Sequence, residues 1–331
     1  MFLSIIIPVY NVEPYIERCM LSVINQIDDN VEVIMVDDCG QDKSLDVVRR
    51  IVETHPKGDL IRICKHANNR GTSAARNTGL SNAQGTYVWF VDSDDWITDN
   101  CIQYLFSILS ESEPDICLMS AARCSENQCI QLYSYPELNR KVVEGKTFIT
   151  DNKIQLFIQP SIYKRSFLID NQLQFLIGVF HEDIDFSLRS YYLAKRVMYI
   201  DEVFFCYYSN PTSIVNTINP KKSFDLIIVA NSLFEFSKSH VAIKHLPSFY
   251  NYISLAINNA LYSFYKINDH AIKKEWEKKF FENKHLKLAL INSSIFKYRL
   301  EGFLFKASKR YISIYQFLQL FNKKTTLKKY S

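Results

Sequence analysis

The sequence predicts an α/β protein: a mostly parallel sheet flanked by helices, followed by a helical C-terminal region. Two observations carry that prediction. Within the first 91 residues, four apolar runs of strand length alternate with three stretches whose apolar residues recur at helical spacing. Such alternation lays helices over both faces of a parallel sheet. From Pro220 onward no strand pattern recurs, and the text is helical and rich in aromatics.

The elements follow in order. Residues 3–9 form a continuous apolar run, as expected of a strand buried on both faces. Residues 14–26 carry Ile16, Met20, Val23 and Ile24 at helical spacing. Residues 31–36 read as the second strand, which ends in Asp37-Asp38. Residues 42–54 read as the second helix, with Asp42 suited to its N-cap. A third strand at 60–64 and a third helix at 73–83 precede the fourth strand at 86–91. Further on, strand-like runs at 115–119 and 197–208 mix with a helical one at 182–194, and a boundary is expected near 215–220.

Bulk properties narrow the class. The chain has 331 residues, 47% of them hydrophobic, enough for one large domain or two moderate ones. None of the eight cysteines forms a CxxC pair, and their spacing suggests neither a metal site nor a disulfide framework. Several lie in apolar runs as small hydrophobes, which fits a reducing cytoplasm. The N-terminus lacks a basic n-region and a small-residue cleavage site, so it reads as a strand, not a signal peptide. No uncharged apolar stretch reaches the roughly 20 residues that a spanning helix needs. The net charge of +4 conceals an asymmetry: residues 271–331 carry a balance of +11, leaving −7 for the remainder.

In open α/β sheets, ligands bind beyond the carboxyl ends of the strands. Those ends are polar here: Tyr10-Asn11, Asp37-Asp38, the stretch from His66 to Arg76, and Asp92-Ser93-Asp94-Asp95. The last is the most informative. Three carboxylates within four positions repel one another and raise each other's pKa. A hard divalent cation would relieve that repulsion; an Asp-rich turn or a helix cap is the alternative use. Pro8-Val9-Tyr10-Asn11 closes the first strand and offers a ring to flank a planar base. Asp37 or Asp38 offers an acceptor for an imide N–H, and Arg70 and Arg76 offer guanidinium groups to phosphate or carboxylate. Further on, Glu182-Asp183 opens a helix, where acidic residues are favoured by the dipole in any case.

Together and in this order, these segments resemble the inverting glycosyltransferases of family 2, which have the GT-A fold. The matching text is Ser4-Ile5-Ile6-Ile7-Pro8-Val9-Tyr10-Asn11, then Val36-Asp37-Asp38-Cys39-Gly40-Gln41-Asp42-Lys43-Ser44. It continues with Asn69-Arg70-Gly71, Ala75-Arg76-Asn77-Thr78-Gly79, Phe90-Val91-Asp92-Ser93-Asp94-Asp95 and His181-Glu182-Asp183-Ile184-Asp185-Phe186. The likeness is dense over residues 3–100 and thin to about 215.

The resemblance implies a site. Pro8, Val9, Tyr10, Asn11 and Asp37 or Asp38 would hold the nucleotide, Arg76 would approach it, and Asp92 would contact the ribose or sugar. Asp94 would coordinate Mg2+ or Mn2+ at the diphosphate, while Asp95 has a cap as its other reading. Asp183 would be the general base, with Glu182 its neighbour; Arg189 either orients substrate or is a surface charge. One base and one metal site suit a single in-line displacement with inversion. The implied domains are a GT-A catalytic domain over 1–217 and a helical, basic, aromatic-rich region over 218–331. Within the first, residues 1–100 would form the nucleotide-sugar half and 101–217 the acceptor half. The implied reaction moves a single sugar from a nucleotide-sugar, of the UDP-linked kind, to a glycan or lipid-linked acceptor in bacterial surface-polysaccharide assembly.

Departures refine this. No Q-x-x-R-W motif follows the acidic pair, which argues for single transfer over processive synthesis. Gln159-Pro160-Ser161 stands where many relatives have Trp and Lys, and the stretch from Tyr207 to Ser213 lacks the Arg that relatives often carry. From Phe296 to Phe321, apolar residues including Leu300, Phe303, Leu304 and Ala307 recur at helical spacing, opposite Arg299, Lys306, Lys309 and Arg310. A basic amphipathic helix of this kind suits an anionic membrane surface through 296–331, at the cytoplasmic face; packing on the catalytic domain would give the same stripe. The acidic body and the lack of a binding module argue against nucleic acid. A nucleotidyltransferase of similar sheet would need a Gly-rich basic loop after the first strand, where Asn11-Val12-Glu13-Pro14-Tyr15 stands. A non-catalytic nucleotide-binding scaffold would leave the acidic set without a purpose.

Overall fold

The computed structural model describes residues 1–126, 128–151, 158–209 and 219–307. Among these, residues 1–178 with 182–209 form one compact unit, and residues 179–181 with 219–307 form another.

The first unit opens with β1 (Leu3–Val9), α1 (Glu13–Ile24), β2 (Val31–Asp37), α2 (Ser44–Thr54), β3 (Ile61–Lys65), α3 (Thr72–Asn82) and β4 (Tyr87–Phe90). It continues through β5 (Trp96–Ile97), α4 (Cys101–Ser112), β6 (Ile116–Cys124), β7 (Cys129–Gln131), β8 (Val142–Val143) and α5 (Gly145–Asp151). It closes with β9 (Ser161–Lys164), α6 (Arg165–Asp170), α7 (Glu182–Leu193) and β10 (Val197–Tyr208). One sheet of ten strands runs β3-β2-β1-β4-β9-β6-β10-β5, with β7 on β6 and β8 on β10.

The apolar runs of β1, β2 and β4 are buried along their whole length. Their register aligns the carboxyl ends: Val9 lies opposite Asp37, Asp37 opposite Lys65, and Ile6 opposite Phe90. All the polar strand-end segments of this half therefore emerge on one edge. Helix α3 packs closely on β1 and β2, and Gly79 makes this possible: a Cβ there would sit 2.3 Å from Ile6 Cγ2.

Two features depart from the expectation. The sheet is mixed: β9 pairs antiparallel with both β4 and β6, and β5 pairs antiparallel with β10. Four residues are too few for β9 to display a period. The expectation of no disulfide is also corrected. Cys124 and Cys129 are bonded, because the β6–β7 hairpin sets them directly opposite each other. Their spacing has meaning only once that hairpin is known. Of the other six, Cys19, Cys101, Cys117 and Cys206 are buried as small hydrophobes.

The second unit holds α8 (Pro220–His240), α9 (Leu246–Tyr265), α10 (His270–Glu282), α11 (Lys284–Ile291) and α12 (Phe296–Ala307). Trp276 is fully buried, its ring 4.5 Å from that of Phe264 and 5.0 Å from that of Phe280. Asn258 on α9 donates to buried Glu301 on α12 at 2.9 Å. Helix α12 also buries Phe305, yet leaves Phe296, Leu300 and Phe303 exposed. Of the expected stripe, Leu300 and Phe303 are exposed and Leu304 is half-buried; the buried contact comes from Phe305, outside that stripe, and Arg299 and Lys306 lie beside the stripe, not opposite it. The part of the expected 296–321 helix beyond Ala307 lies outside the described residues, as does Asn210 to Ser213.

Candidate functional site

The site is built from loops at the carboxyl ends of β1, β2, β3 and β4, together with the start of α7. At the first edge, Asn11 adopts φ +51° and accepts from the Gln41 N–H at 2.7 Å. Asp42 stitches the two loops together, its carboxylate taking the N–H groups of Glu13 and Ser44 and the Ser44 hydroxyl. Burial raises the Asp42 pKa, but these bonds outweigh it and hold the carboxyl below its usual value. Pro8 and Val9 are buried in the strand, while Tyr10 is 43% exposed and free to meet a ring.

The two neighbouring acids diverge. Asp37 accepts from the Cys39 N–H at 3.0 Å, and its other oxygen lies 3.8 Å from Lys65 Nζ. Asp38 is occupied by the fold. It takes the N–H groups of Arg70 at 2.8 Å and Gly71 at 2.7 Å, and faces His66 Nδ1 at 2.7 Å. His66 in turn reaches Thr78 Oγ1 on α3 at 2.9 Å. Gly71 at φ +85° permits the sharp entry into α3 that aims its N–H at Asp38.

Beyond β4, exposure alternates: Asp92 and Asp94 are half-buried, while Ser93 and Asp95 are buried. The segment is a turn, closed by the Asp95 N–H on the Asp92 carbonyl at 3.1 Å, and it leaves the D-x-D pair more open than its neighbours. Asp95 Oδ1 takes the Tyr208 N–H at 2.8 Å, tying the loop to β10. Burial first, then Asp94 and Asp92, raises its pKa well above normal, and its Oδ2 is buried without a hydrogen-bond partner. Asp94 is pushed up to about 6 by burial and by the Asp92 charge. Arg18 braces the same loop, donating to the Asp94 carbonyl at 2.9 Å while stacked 3.8 Å from the Trp96 ring centre.

Asp92 faces two donors. Arg76 Nη2 approaches one oxygen at 2.6 Å, and the Gln159 amide donates to the other. Gln159 is held in turn by the Trp89 indole N–H on its carbonyl. The other arm of Arg76 reaches Glu182 Oε1 at 2.7 Å. One guanidinium, only 2% exposed, therefore joins the acid loop to the first residue of α7. Burial opposes its charge, but Asp92 and Glu182 outweigh it and keep its pKa above the ordinary value.

Phe186, three residues beyond Asp183, fixes α7 in place. It is fully buried, stacked 3.9 Å from Phe175 and edge-on to Phe90 of β4. Asp183, beside Glu182, is raised to about 7 by burial and by the Glu182 charge. Asp185 points inward and pairs with Arg189, which also donates to the Gln174 carbonyl. Arg189 is thereby an internal partner.

Residues 4–166 match the sequence profile described as Glycosyl transferase family 2. The chain carries a family 2 glycosyltransferase domain. It is 33% identical over 220 residues to the uncharacterized glycosyltransferase EpsJ of Bacillus subtilis, covering 64% of this chain and 62% of that protein. It is also similar to TarS of Staphylococcus aureus, a poly(ribitol-phosphate) beta-N-acetylglucosaminyltransferase, with 27% identity over 209 residues. That match covers 62% of this chain and 35% of TarS. The structure of TarS residues 1–349 with UDP-GlcNAc superposes with TM-score 0.59 and 19% identity, covering 85% of this chain and 92% of that one. The mannosyltransferase PcManGT of Pyrobaculum calidifontis, with GDP-Man and Mn2+, superposes with TM-score 0.55 and 16% identity, covering 97% and 87%. The chain thus spans less than two thirds of EpsJ and about a third of TarS.

The structure gathers Arg76 and Asp92 of the matched segment, and Glu182 beyond it, into one network, with Asp183 beside Glu182 and Asp94 two residues along from Asp92. Asp38 stands apart from the open edge, committed to the 66–71 loop. Two participants were missed by sequence reasoning, Gln159 and Arg18. Gln159 stood out only as a departure from the family pattern, and nothing in the sequence tied it to Asp92, 67 positions away. Arg18 falls on the polar face of an ordinary amphipathic helix, where a functional cation reads like any other.

Proposed function

We propose that the protein is an inverting glycosyltransferase that moves a single sugar from a nucleotide-sugar, of the UDP-linked class, to a glycan or lipid-linked acceptor. The observation that carries this reading is the joining, through Arg76, of the D-x-D loop to the helix that starts at Glu182-Asp183. Donor-side and base-side carboxylates are thereby held in one network, as a one-step displacement requires. The likeness to TarS, whose solved structure holds UDP-GlcNAc, supports a nucleotide-sugar donor. Relatives named for poly(ribitol-phosphate) transfer support a bacterial surface polymer as the acceptor setting.

Tyr10 would stack against the base, and Asp37, with one oxygen near Lys65 alone, is better placed than Asp38 to receive an imide N–H. Asp92 would meet the ribose or sugar. Asp183 would accept the proton of the attacking acceptor hydroxyl, and a pKa near neutrality suits that work.

The donor set fits Mg2+ or Mn2+. Asp94 is a raised, partly open carboxylate beside a second acid, and a cation would relieve that repulsion. Among the described residues, no three His, Cys, Asp or Glu side chains make a cage for a metal by themselves. Mg2+ is commonly held through one or two carboxylates plus substrate phosphates. Bound by Asp94 and the diphosphate, the ion would neutralise charge on the departing nucleoside diphosphate.

The decisive substitution is Asp183→Asn. Transfer is expected to fall roughly 10²- to 10⁴-fold, with calorimetric UDP affinity in Mn2+ nearly unchanged. Wild-type turnover in that variant would remove Asp183 from the role of base.

A further inference from the structure

Helix α12 presents an apolar stripe with nothing of the described chain over it. Phe296 is 70% exposed, Leu300 47% and Phe303 55%. Their i, i+4, i+7 spacing aligns them on one face. The opposite face carries the packing: Glu301 and Phe305 are buried, with Asn258 of α9 donating to Glu301. The stripe is therefore not a packing face left open by chance, since the helix is already anchored from behind.

Cations lie on both sides of the stripe. Lys297 falls on one side, its ammonium 3.9 Å from Glu301, and Arg299 and Lys306 on the other. Arg299 stays close, its guanidinium 5.9 Å from the Phe296 ring centre while it donates to the Ser293 and Ser294 carbonyls. Glu301 is the one acid between 296 and 307, and it is buried. The 24 residues from 308 to 331 add six Lys and Arg and no acid.

We infer that this face docks on an anionic bilayer surface, with Phe296, Leu300 and Phe303 entering the boundary between headgroups and acyl chains. Lys297, Arg299 and Lys306 would meet lipid phosphates, and the helix would lie in the plane of the interface. Charge decides between this and a second copy of the chain. A two-fold pairing of the face would set three cations against the same three cations, whereas an anionic surface complements them. The inference concerns the helical unit alone and does not depend on the sugar-transfer reading.

The test uses the full chain with vesicles of phosphatidylcholine, with or without about one third phosphatidylglycerol. Wild type is expected to cosediment with the anionic vesicles and far less with the neutral ones. The combined substitution Phe296→Ser, Leu300→Ser and Phe303→Ser replaces exposed side chains, so circular dichroism should be unchanged. It is expected to weaken vesicle binding at least about tenfold. Lys297→Glu with Lys306→Glu should weaken it roughly fivefold per cation at low salt, and by less in high salt. Hydrolysis of a UDP-sugar without vesicles should match wild type in every variant, so a failed donor assignment would leave the docking result readable. Anionic-vesicle binding that survives the triple serine variant would overturn the proposal and assign the affinity to the tail. So would a dimer in sedimentation that the triple variant disrupts, with vesicles ignored; that result would mean a second copy covers the face.

Discussion

At the scale of single residues, the site stores like charge. Asp94 is held near 6 by burial and Asp92, so the folded protein keeps that proton to higher pH than the unfolded chain does. Its contribution to stability is therefore lost as pH rises from about 4 to 6. Replacing the charge should recover it. Asp94→Asn is expected to raise the melting temperature of the metal-free protein by a few degrees at neutral pH, with no gain at about pH 4. The same variant should lose the extra stabilisation that Mn2+ with UDP confers on wild type. Identical melting curves at neutral pH would refute the charge argument.

Asp183 offers a second titration. Burial raises its pKa most, and the Glu182 charge adds to it. Glu182→Gln removes that second contribution, so the acid limb of the kcat/KM profile should move to lower pH. An unmoved limb would show that another group governs it. Most of these residues were legible beforehand because the D-x-D and Glu-Asp pairs are local in sequence. The bridge between them was not: Arg76 and Glu182 are 106 positions apart, and no periodicity reports such a distance.

Elements were legible where they are long and periodic. The expected strands at 3–9, 31–36 and 60–64 match β1, β2 and β3 to within a residue or so, and the fourth matches β4 equally well. Short elements such as β5, β8, β9 and α6 carry too few residues for a period, and their pairing is imposed by the sheet. Gly79 gives a test at this scale. Helix propensity alone would make Gly79→Ala stabilising by roughly 1 kcal/mol. The contact with Ile6 Cγ2 opposes it, since a Cβ at 2.3 Å cannot be accommodated without movement of β1 or α3. Overpacking of this kind costs about 1–3 kcal/mol, so the net effect in urea unfolding should be destabilising. Adding Ile6→Ala should make the alanine at 79 cheaper than in the wild-type background, a positive coupling in the double-mutant cycle. Simple additivity would rule out the contact as the cause.

For the whole molecule, the sequence anticipated an α/β sheet followed by helices. It did not anticipate how β9 joins the two halves of the sheet, antiparallel to β4 on one side and β6 on the other. That arrangement sets a timetable for synthesis. β6 is a nine-residue, largely apolar strand; one edge is shared by β7, which follows at once, and β9, some 40 residues later, while the other waits for β10, more than 70 residues later. At about 5–20 residues per second, roughly 4–15 s pass between the emergence of β6 and that of β10. For that time one long edge of β6 has no lasting partner, and such edges invite pairing with other chains. Ribosome-bound chains stalled short of residue 197 are expected to stay protease-sensitive within 116–124. Chains stalled far enough beyond 208 for β10 to clear the exit tunnel should be protected there. Early protection would mean that β6 finds another shelter. Otherwise, the late place of β10 in the chain makes the ribosome's pace and the chaperones around it part of how this protein reaches its fold.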